Sequence, residues 1–427
     1  MTTEKTSQIR WVLIFWLFLL SAVAYLDRVN ISIAGKLLVA EFHISNIQLG
    51  WIFFAFLAGY ALFQYPGGRL ADYLGARKVL ALAVIWWGVF SALIVIIPSE
   101  FHAALTAFLL VRFTLGAGEA VMYPASNLFV ARWIPSSERG RANGFIFSGV
   151  GVGAGFTPPL VTYIMLRHGW RISFLVCAAI GLAVGFVWYL IARNTPEEHP
   201  YVYPEELSKI KAGLPTALLP GKPKLVSWSQ MLRSREVLAI SLSYFTYGYV
   251  AWIFFSWFFI YLTEAHGLNL KTSALYSMLP FIAMAVCSPL GGLVSDAISK
   301  SKGSRAGRSG VAVFAMAATA LFLVIGSKAE NTQIAVLVLA GGAGALYLSQ
   351  SSFWTVTADI GGSSAGSVSG LMNMANQIGG MITAPLTPWI AAHFGWTSAF
   401  YVAAALVFVG ALMWFFVDPT KRLDLSA

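Results

Sequence analysis

Apolar residues fall in long unbroken runs separated by short polar breaks, with neither strand-like alternation nor a heptad repeat. Twelve runs approach the length of about 20 residues that crosses a bilayer. They lie at roughly 11–34, 46–66, 79–98, 103–131, 142–165, 172–192, 237–262, 273–296, 310–327, 332–353, 366–391 and 397–417. Hydrocarbon offers no partners to backbone polar groups, so such spans are helices. The pattern predicts an all-α membrane protein with twelve transmembrane helices.

The first run, "WVLIFWLFLLSAVAYL", meets a carboxylate and a guanidinium at Asp27 and Arg28 before "VNISIAG" resumes. A helix ending at Leu26 would be short for a bilayer. Continuing it to Ala34 restores a normal length and carries both charges into the membrane, somewhat outside the midplane. Consecutive helix positions point about 100° apart, so one side chain faces a central cavity while the other turns toward a neighbouring helix. Lys5, Arg10 and the "AVA" at 22–24 imitate a secretory signal. No soluble domain follows for export, so an uncleaved first span is expected.

Composition agrees with the pattern: 58% of residues are hydrophobic, 11% are charged, and mean hydropathy is +0.72. The net charge of +10 invites a nucleic-acid reading, which its distribution excludes. With the amino terminus in the cytoplasm, 21 of the 28 Lys and Arg fall inside. Five fall outside (Lys36, Arg167, Arg171, Lys271, Lys328) and two within helices, Arg28 and Arg112. That bias orients the chain with both termini cytoplasmic. The two cysteines and six histidines offer no metal-ligand spacing, and no nucleotide-binding GxxxxGK[ST] occurs. No cofactor is expected.

A proline-rich, charged stretch divides six spans from six. It sets expected domains of 1–193 and 237–427 joined by a cytoplasmic linker at 194–236. The halves repeat. "GGRLADYLGARK" (67–78) follows the second span and "GGLVSDAISKSKGSR" (291–305) the eighth; "HGWRISF" (168–174) and "FGWTSAF" (394–400) open the last span of each half. Two unrelated markers at nearly one offset indicate duplication, giving two pseudo-symmetric six-helix bundles.

"GGRLADYLGARK" resembles the loop signature of the major facilitator superfamily, through Gly68, Leu70, Asp72, Gly75, Arg77 and Lys78. The resemblance implies a gating role for Gly68, Asp72, Arg77 and Lys78, and for Asp296 in the second copy. Asp72 there caps a helix or pairs with basic residues across the halves.

Charges inside spans are expensive and usually face a working cavity. Four such groups occur, all in the first half: Asp27, Arg28, Arg112 and Glu119. Arg112 and Glu119 stand seven apart, two turns along one helix face and about 10 Å, which allows an ion pair within the fourth span. "GAG" between them permits close helix packing. The second half instead offers neutral donors and acceptors in "LSQSSFWTVTADIGG" and "GLMNMANQIGG": Gln350, Ser351, Ser352, Trp354, Asn373, Asn376 and Gln377. The aromatic stretch 243–262 packs mainly against lipid or helices, with one or two rings in the cavity.

With "LDRVN", Tyr60, "QYPGG" (64–68), Arg112, Glu119, Pro124, Asn127 and "ERGRANG" (138–144), the whole chain resembles the anion:cation symporter family. That family includes bacterial galactonate, glucarate and hexuronate transporters and, more distantly, sialin and vesicular glutamate transporters. The resemblance implies that Arg28, Tyr60, Ser351, Trp354 and Asn373 bind substrate and that Asp27 and Glu119, with Arg112, carry coupling protons. The expected activity is proton-coupled import of an organic anion, a hexonate or hexuronate, by a monomeric carrier of the bacterial inner membrane. Its partners are a small organic anion, protons and the bilayer. Val150 departs from the polar residue of some sugar-acid members and keeps a small or aromatic carboxylate open, and anion exchange without net proton coupling is the alternative. No enzymatic constellation is present.

Overall fold

A computed structural model of the chain describes residues 7–99, 103–135, 138–212, 227–361 and 365–423. The first half comprises α1 (Ile9–Phe42), α2 (Asn46–Leu74), α3 (Ala76–Val95), α4 (Ala104–Glu119), α5 (Met122–Trp133), α6 (Arg139–His168) and α7 (Trp170–Ile191). Two short helices, α8 (Pro204–Ala212) and α9 (Trp228–Arg233), belong to the connection. The second half comprises α10 (Arg235–Ser256), α11 (Phe258–Glu264), α12 (Leu270–Lys302), α13 (Val311–Lys328), α14 (Thr332–Leu348), α15 (Gln350–Gly361), α16 (Ala365–Phe394) and α17 (Trp396–Met413). No strand occurs among the described residues.

Eleven helical runs among the described residues are long and apolar enough to cross a membrane. The remaining expected span is the 30-residue α16; Asn373, Asn376, Gln377 and two prolines keep its hydropathy down. Three expected spans are not single helices. The fourth breaks at Ala120–Val121, between α4 and α5, and the tenth at Ser349, between α14 and α15. These two breaks occupy matching places in the two halves. The seventh breaks at Trp257. Polar caps set the helix starts: Ser45 and Gln48 form a capping box on α2, Asn269 caps α12 and Asn331 caps α14.

The duplication is visible in backbone angles. Gly75 and Gly303 join the helices of the repeated loop motif, with φ of 80° and 87°. Gly169 and Gly395 open the last span of each half, with φ of 82° and 83°. Side chains with a Cβ rarely adopt this region, so both markers keep glycine for one reason.

The connection is not free along its whole length. Glu206 of α8, 3% exposed, accepts hydrogen bonds from the Ser7 hydroxyl, the Ile9 and Arg10 amides and Arg10 Nη1. It thereby caps the start of α1 from another helix, where the dipole favours an anion. Arg10 Nε reaches Glu138 at 3.2 Å, and Lys209 reaches the same carboxylate at 3.0 Å. At the other terminus Lys421 pairs with Glu236 at 3.0 Å. Both ends of the described chain therefore lie at one end of the bundle, here termed the basic end. Residues 213–226 of the expected linker lie outside the described residues.

The halves meet along α2 with α16 and α6 with α12. At the end opposite the termini, the Ser32 hydroxyl donates to the Ser256 carbonyl at 2.6 Å and Asn46 Nδ2 to Glu264 at 2.8 Å.

Candidate functional site

Because α1 runs on to Phe42 rather than stopping near 34, Asp27 and Arg28 lie within about one turn of its midpoint, deeper than expected. Asp27, Arg28, Arg112 and Glu119 are all 3% exposed or less. The two neighbours on α1 do point apart. Arg28 Nε donates to Glu119 Oε2 at 2.7 Å. The Ser91 hydroxyl of α3 donates to Asp27 Oδ2 at 2.6 Å.

The expected Arg112–Glu119 pair does not form, since Glu119 takes Arg28 from the neighbouring helix. Arg112 lays its guanidinium 4.6 Å from the Phe56 ring centre. Close packing follows at Gly116, where a Cβ would sit 2.0 Å from the Phe56 carbonyl oxygen.

Arg28 is stacked as well as paired. Its guanidinium carbon lies 4.6 Å from the ring centres of both Tyr25 and Tyr60. Its Nη1 and Nη2 are buried, as is the Tyr60 hydroxyl. The buried guanidinium therefore has one carboxylate partner, and its two terminal nitrogens are set among the Tyr25 and Tyr60 phenols.

Between the halves lies a small central cavity of about 20 Å³, room for about one water. Its wall is largely phenolic: Tyr25 and Tyr123 from the first half, Tyr244, Tyr247 and Tyr347 from the second. Gln350, Trp354, Asn373, Asn376 and Gln377 add polar groups, and Phe147, Val150, Trp252 and Phe255 apolar ones. The Tyr244 hydroxyl receives Gln350 Nε2 at 2.9 Å and Trp354 Nε1 at 3.1 Å. Asn376 Oδ1 and Gln377 Oε1 have no hydrogen-bond partner among the described residues.

Tilted ring contacts cross between the halves at two places in the cavity lining, Phe147 with Trp354 and Tyr25 with Phe255. Toward the basic end, Phe147 lies 5.0 Å from Tyr123 and 5.0 Å from Trp354. Toward the opposite end, Phe255 lies 4.8 Å from Tyr25 and 5.3 Å from Phe281.

Of the substrate residues implied by resemblance, Trp354 and Asn373 line the cavity. Arg28 and Tyr60 sit one layer behind it, Arg28 against the lining Tyr25. Ser351 faces Gly292 of α12, its hydroxyl unpartnered. Among the residues expected to gate, Gly68 sits beside Pro124. Arg77 donates to the Tyr189 carbonyl of α7 at 2.9 Å, and Asp296 pairs with Arg308 at 2.6 Å, each within its own half. Lys78 is exposed. The Asp72 side chain lies outside the described residues. Sequence reasoning missed the tyrosines as a group, and four residues of the aromatic stretch, Tyr244, Tyr247, Trp252 and Phe255, reach the cavity rather than one or two. Their signal was hydroxyl-bearing rings within spans already carrying charge or amide residues.

Membrane-length helices around a small polar cavity, with buried charges one layer behind its wall, fit a membrane solute carrier. The sequence profile of the Major Facilitator Superfamily matches residues 17–384 and 365–427. The chain belongs to the Major Facilitator Superfamily; it is a transport protein and not an enzyme. It is 32% identical to a Cupriavidus necator protein named "Probable sulfoacetate transporter", over 94% of this chain and 92% of that one. It is 29% identical to the hexuronate transporter of Bacillus subtilis, over 95% and 94%. The crystal structure of a D-xylose-proton symporter shares the fold, with a TM-score of 0.75 at 18% identity, covering 97% of this chain and 99% of the other.

Proposed function

We propose that the protein is a proton-coupled symporter that imports an organic monoanion, a sugar acid such as a hexonate or hexuronate, across the bacterial inner membrane. The single observation that carries this reading is Arg28: buried, held by Glu119 on one side, and set among the Tyr25 and Tyr60 phenols behind a cavity wall of tyrosines and amides. A planar guanidinium suits bidentate recognition of a carboxylate. Tyr60 assists Arg28, while Trp354, Asn373 and Ser351 read the rest of the substrate. Asp27 and Glu119, with Arg112, carry the protons.

In this reading the halves 1–193 and 237–427 rock about the cavity as a twelve-helix monomer with cytoplasmic termini. Gly68, Asp72, Arg77, Lys78 and Asp296 govern the cytoplasmic opening. Inward movement of one anion opposes about 2.3 kcal/mol per 100 mV; one proton cancels that charge and a second makes uptake electrically favourable.

The test is uptake into proteoliposomes by a panel of hexonates, hexuronates, aldarates, sulfonates and aromatic acids, with and without an inward proton gradient. Gradient-driven accumulation supports symport. Counterflow that persists without any gradient-driven accumulation establishes exchange instead. A second substrate reading, a small or aromatic carboxylate, is favoured by Val150 and Phe147, apolar residues in the cavity lining.

A further inference from the structure

A second cavity lies on the outer face of the first half and shares no residue with the central one. Here α3 and α7 part to leave an apolar groove of about 530 Å³. Its floor is the contact of Gly185 with Val84, where a Cβ on Gly185 would lie 2.5 Å from Val84 Cγ1. Leu82, Ile85, Leu182 and Phe186 form its walls. These four are exposed, and both helices are of membrane length, so the groove opens to lipid.

Lys78 and Tyr189 form the mouth at the basic end. Arg77 lays its guanidinium 4.5 Å from the Tyr189 ring centre. Arg193, just beyond α7, donates to the Leu190 and Ala192 carbonyls. None of these three cations forms an ion pair among the described residues. From Lys78 to Ile85 the slot follows α3 for about 10 Å.

We propose that this groove binds an anionic glycerophospholipid, with one acyl chain between α3 and α7 and the phosphate on Lys78, flanked by Arg77 and Arg193. To a slot that faces lipid, these three cations, which form no ion pair among the described residues, add selection for a negative headgroup. Basic pockets between spanning helices select headgroups in this way, and the slot supplies the apolar contact that anchors a chain.

The experiment is native mass spectrometry of the full chain released from micelles holding equal amounts of phosphatidylglycerol and phosphatidylcholine. The expected result is preferential retention of one phosphatidylglycerol. Lys78→Gln and Arg193→Gln should each reduce that preference about fivefold, whereas Lys300→Gln, an exposed lysine of the other half, should leave it unchanged. Ala81→Phe fills the groove and should remove the retained lipid. Glycerol 3-phosphate, which has no chains, should not compete; this arm needs no variant and decides the matter if Ala81→Phe does not fold. Equal retention of the two lipids, competition by glycerol 3-phosphate, or unchanged retention in Ala81→Phe overturns the proposal. So does a concentration-dependent dimer abolished by Ala81→Phe, which would make the groove a contact between copies.

Discussion

Arg28 Nε and Glu119 Oε2 lie 2.7 Å apart, joining α1 to α4 across 91 residues of sequence. The pair is closed to solvent, and the rest of the guanidinium lies between the Tyr25 and Tyr60 rings. An anion arriving at Nη1 and Nη2 therefore meets a cation already shared with a carboxylate. On the proposed reading, protonating Glu119 would free Arg28 for the substrate and so tie proton and anion binding to one guanidinium.

Arg28→Lys should leave the protein folded and weaken substrate binding by roughly 10- to 100-fold, the scale of about 1.5–3 kcal/mol for a hydrogen bond to a charged group. Lysine supplies charge but not the fork. Titration of the transported anion into purified wild type and variant measures it; near-equal affinity would remove Arg28 from the site.

Two carboxylates with separate surroundings should fail differently. Asp27→Asn should still bind and exchange substrate but lose accumulation driven by a pH gradient. Glu119→Gln frees Arg28 permanently, so binding should persist while flux slows or uncouples. Counterflow and gradient-driven uptake in the same proteoliposomes separate these outcomes. Wild-type accumulation by both variants would exclude these residues as the coupling groups.

Trp354 has two functions that substitution can divide. Trp354→Phe keeps a ring against Phe147 but loses the bond to the Tyr244 hydroxyl. Affinity should drop about fivefold, for a neutral bond worth about 1 kcal/mol. Trp354→Ala also removes the ring contact toward the basic end, so cysteines introduced near the cavity should become more accessible from that side. Equal accessibility in the two variants would deny the contact a closing role.

At the basic end, Glu206→Ala strands the start of α1 and one side of Arg10. The expected loss is about 3 kcal/mol, typical of breaking a buried charge pair, read as a lower melting temperature. Glu138 adds a pH dependence: burial pushes its carboxyl up, but the hydrogen bond from Lys209 and the charge of Arg10 outweigh burial and hold it below its ordinary value. A depressed carboxyl stabilises the fold above its unfolded pKa, and that contribution is lost as pH falls through the folded one. Wild type should thus lose more thermal stability than Glu138→Gln between neutral pH and about pH 3. Parallel pH profiles would show that Glu138 contributes nothing.

Hydropathy and motif spacing made the fold legible, because a bilayer imposes helix length on sequence directly. The opposed directions of Asp27 and Arg28 were legible too, since they follow from helix geometry alone. The partner of Glu119 was not. Within one sequence only local spacing is visible, and Arg112 at seven residues looked closer than Arg28 at 91. The tyrosines were hidden for a related reason: whether a ring on a spanning helix meets lipid or the cavity depends on the rotation of that helix against its neighbours. The docking of α8 on α1 rests on Glu206, which in sequence is one acid among several in a polar stretch.

The deeply buried charges described in α1 and α4 have no counterparts in the other half. At the offset relating Gly169 to Gly395, the positions of Asp27 and Arg28 hold Ile253 and Phe254, and α14, which matches α4, holds no charged residue. After duplication, then, one copy kept or acquired the ionisable groups and the other became a neutral wall of amides and rings. On the reading proposed here, the first copy holds the coupling groups together with the carboxylate anchor, and the second copy supplies the neutral groups that read the rest of the substrate. A lineage can recut those neutral groups through Gln350, Asn373, Asn376 or Gln377 and meet a new nutrient without rebuilding the anchor or the coupling groups.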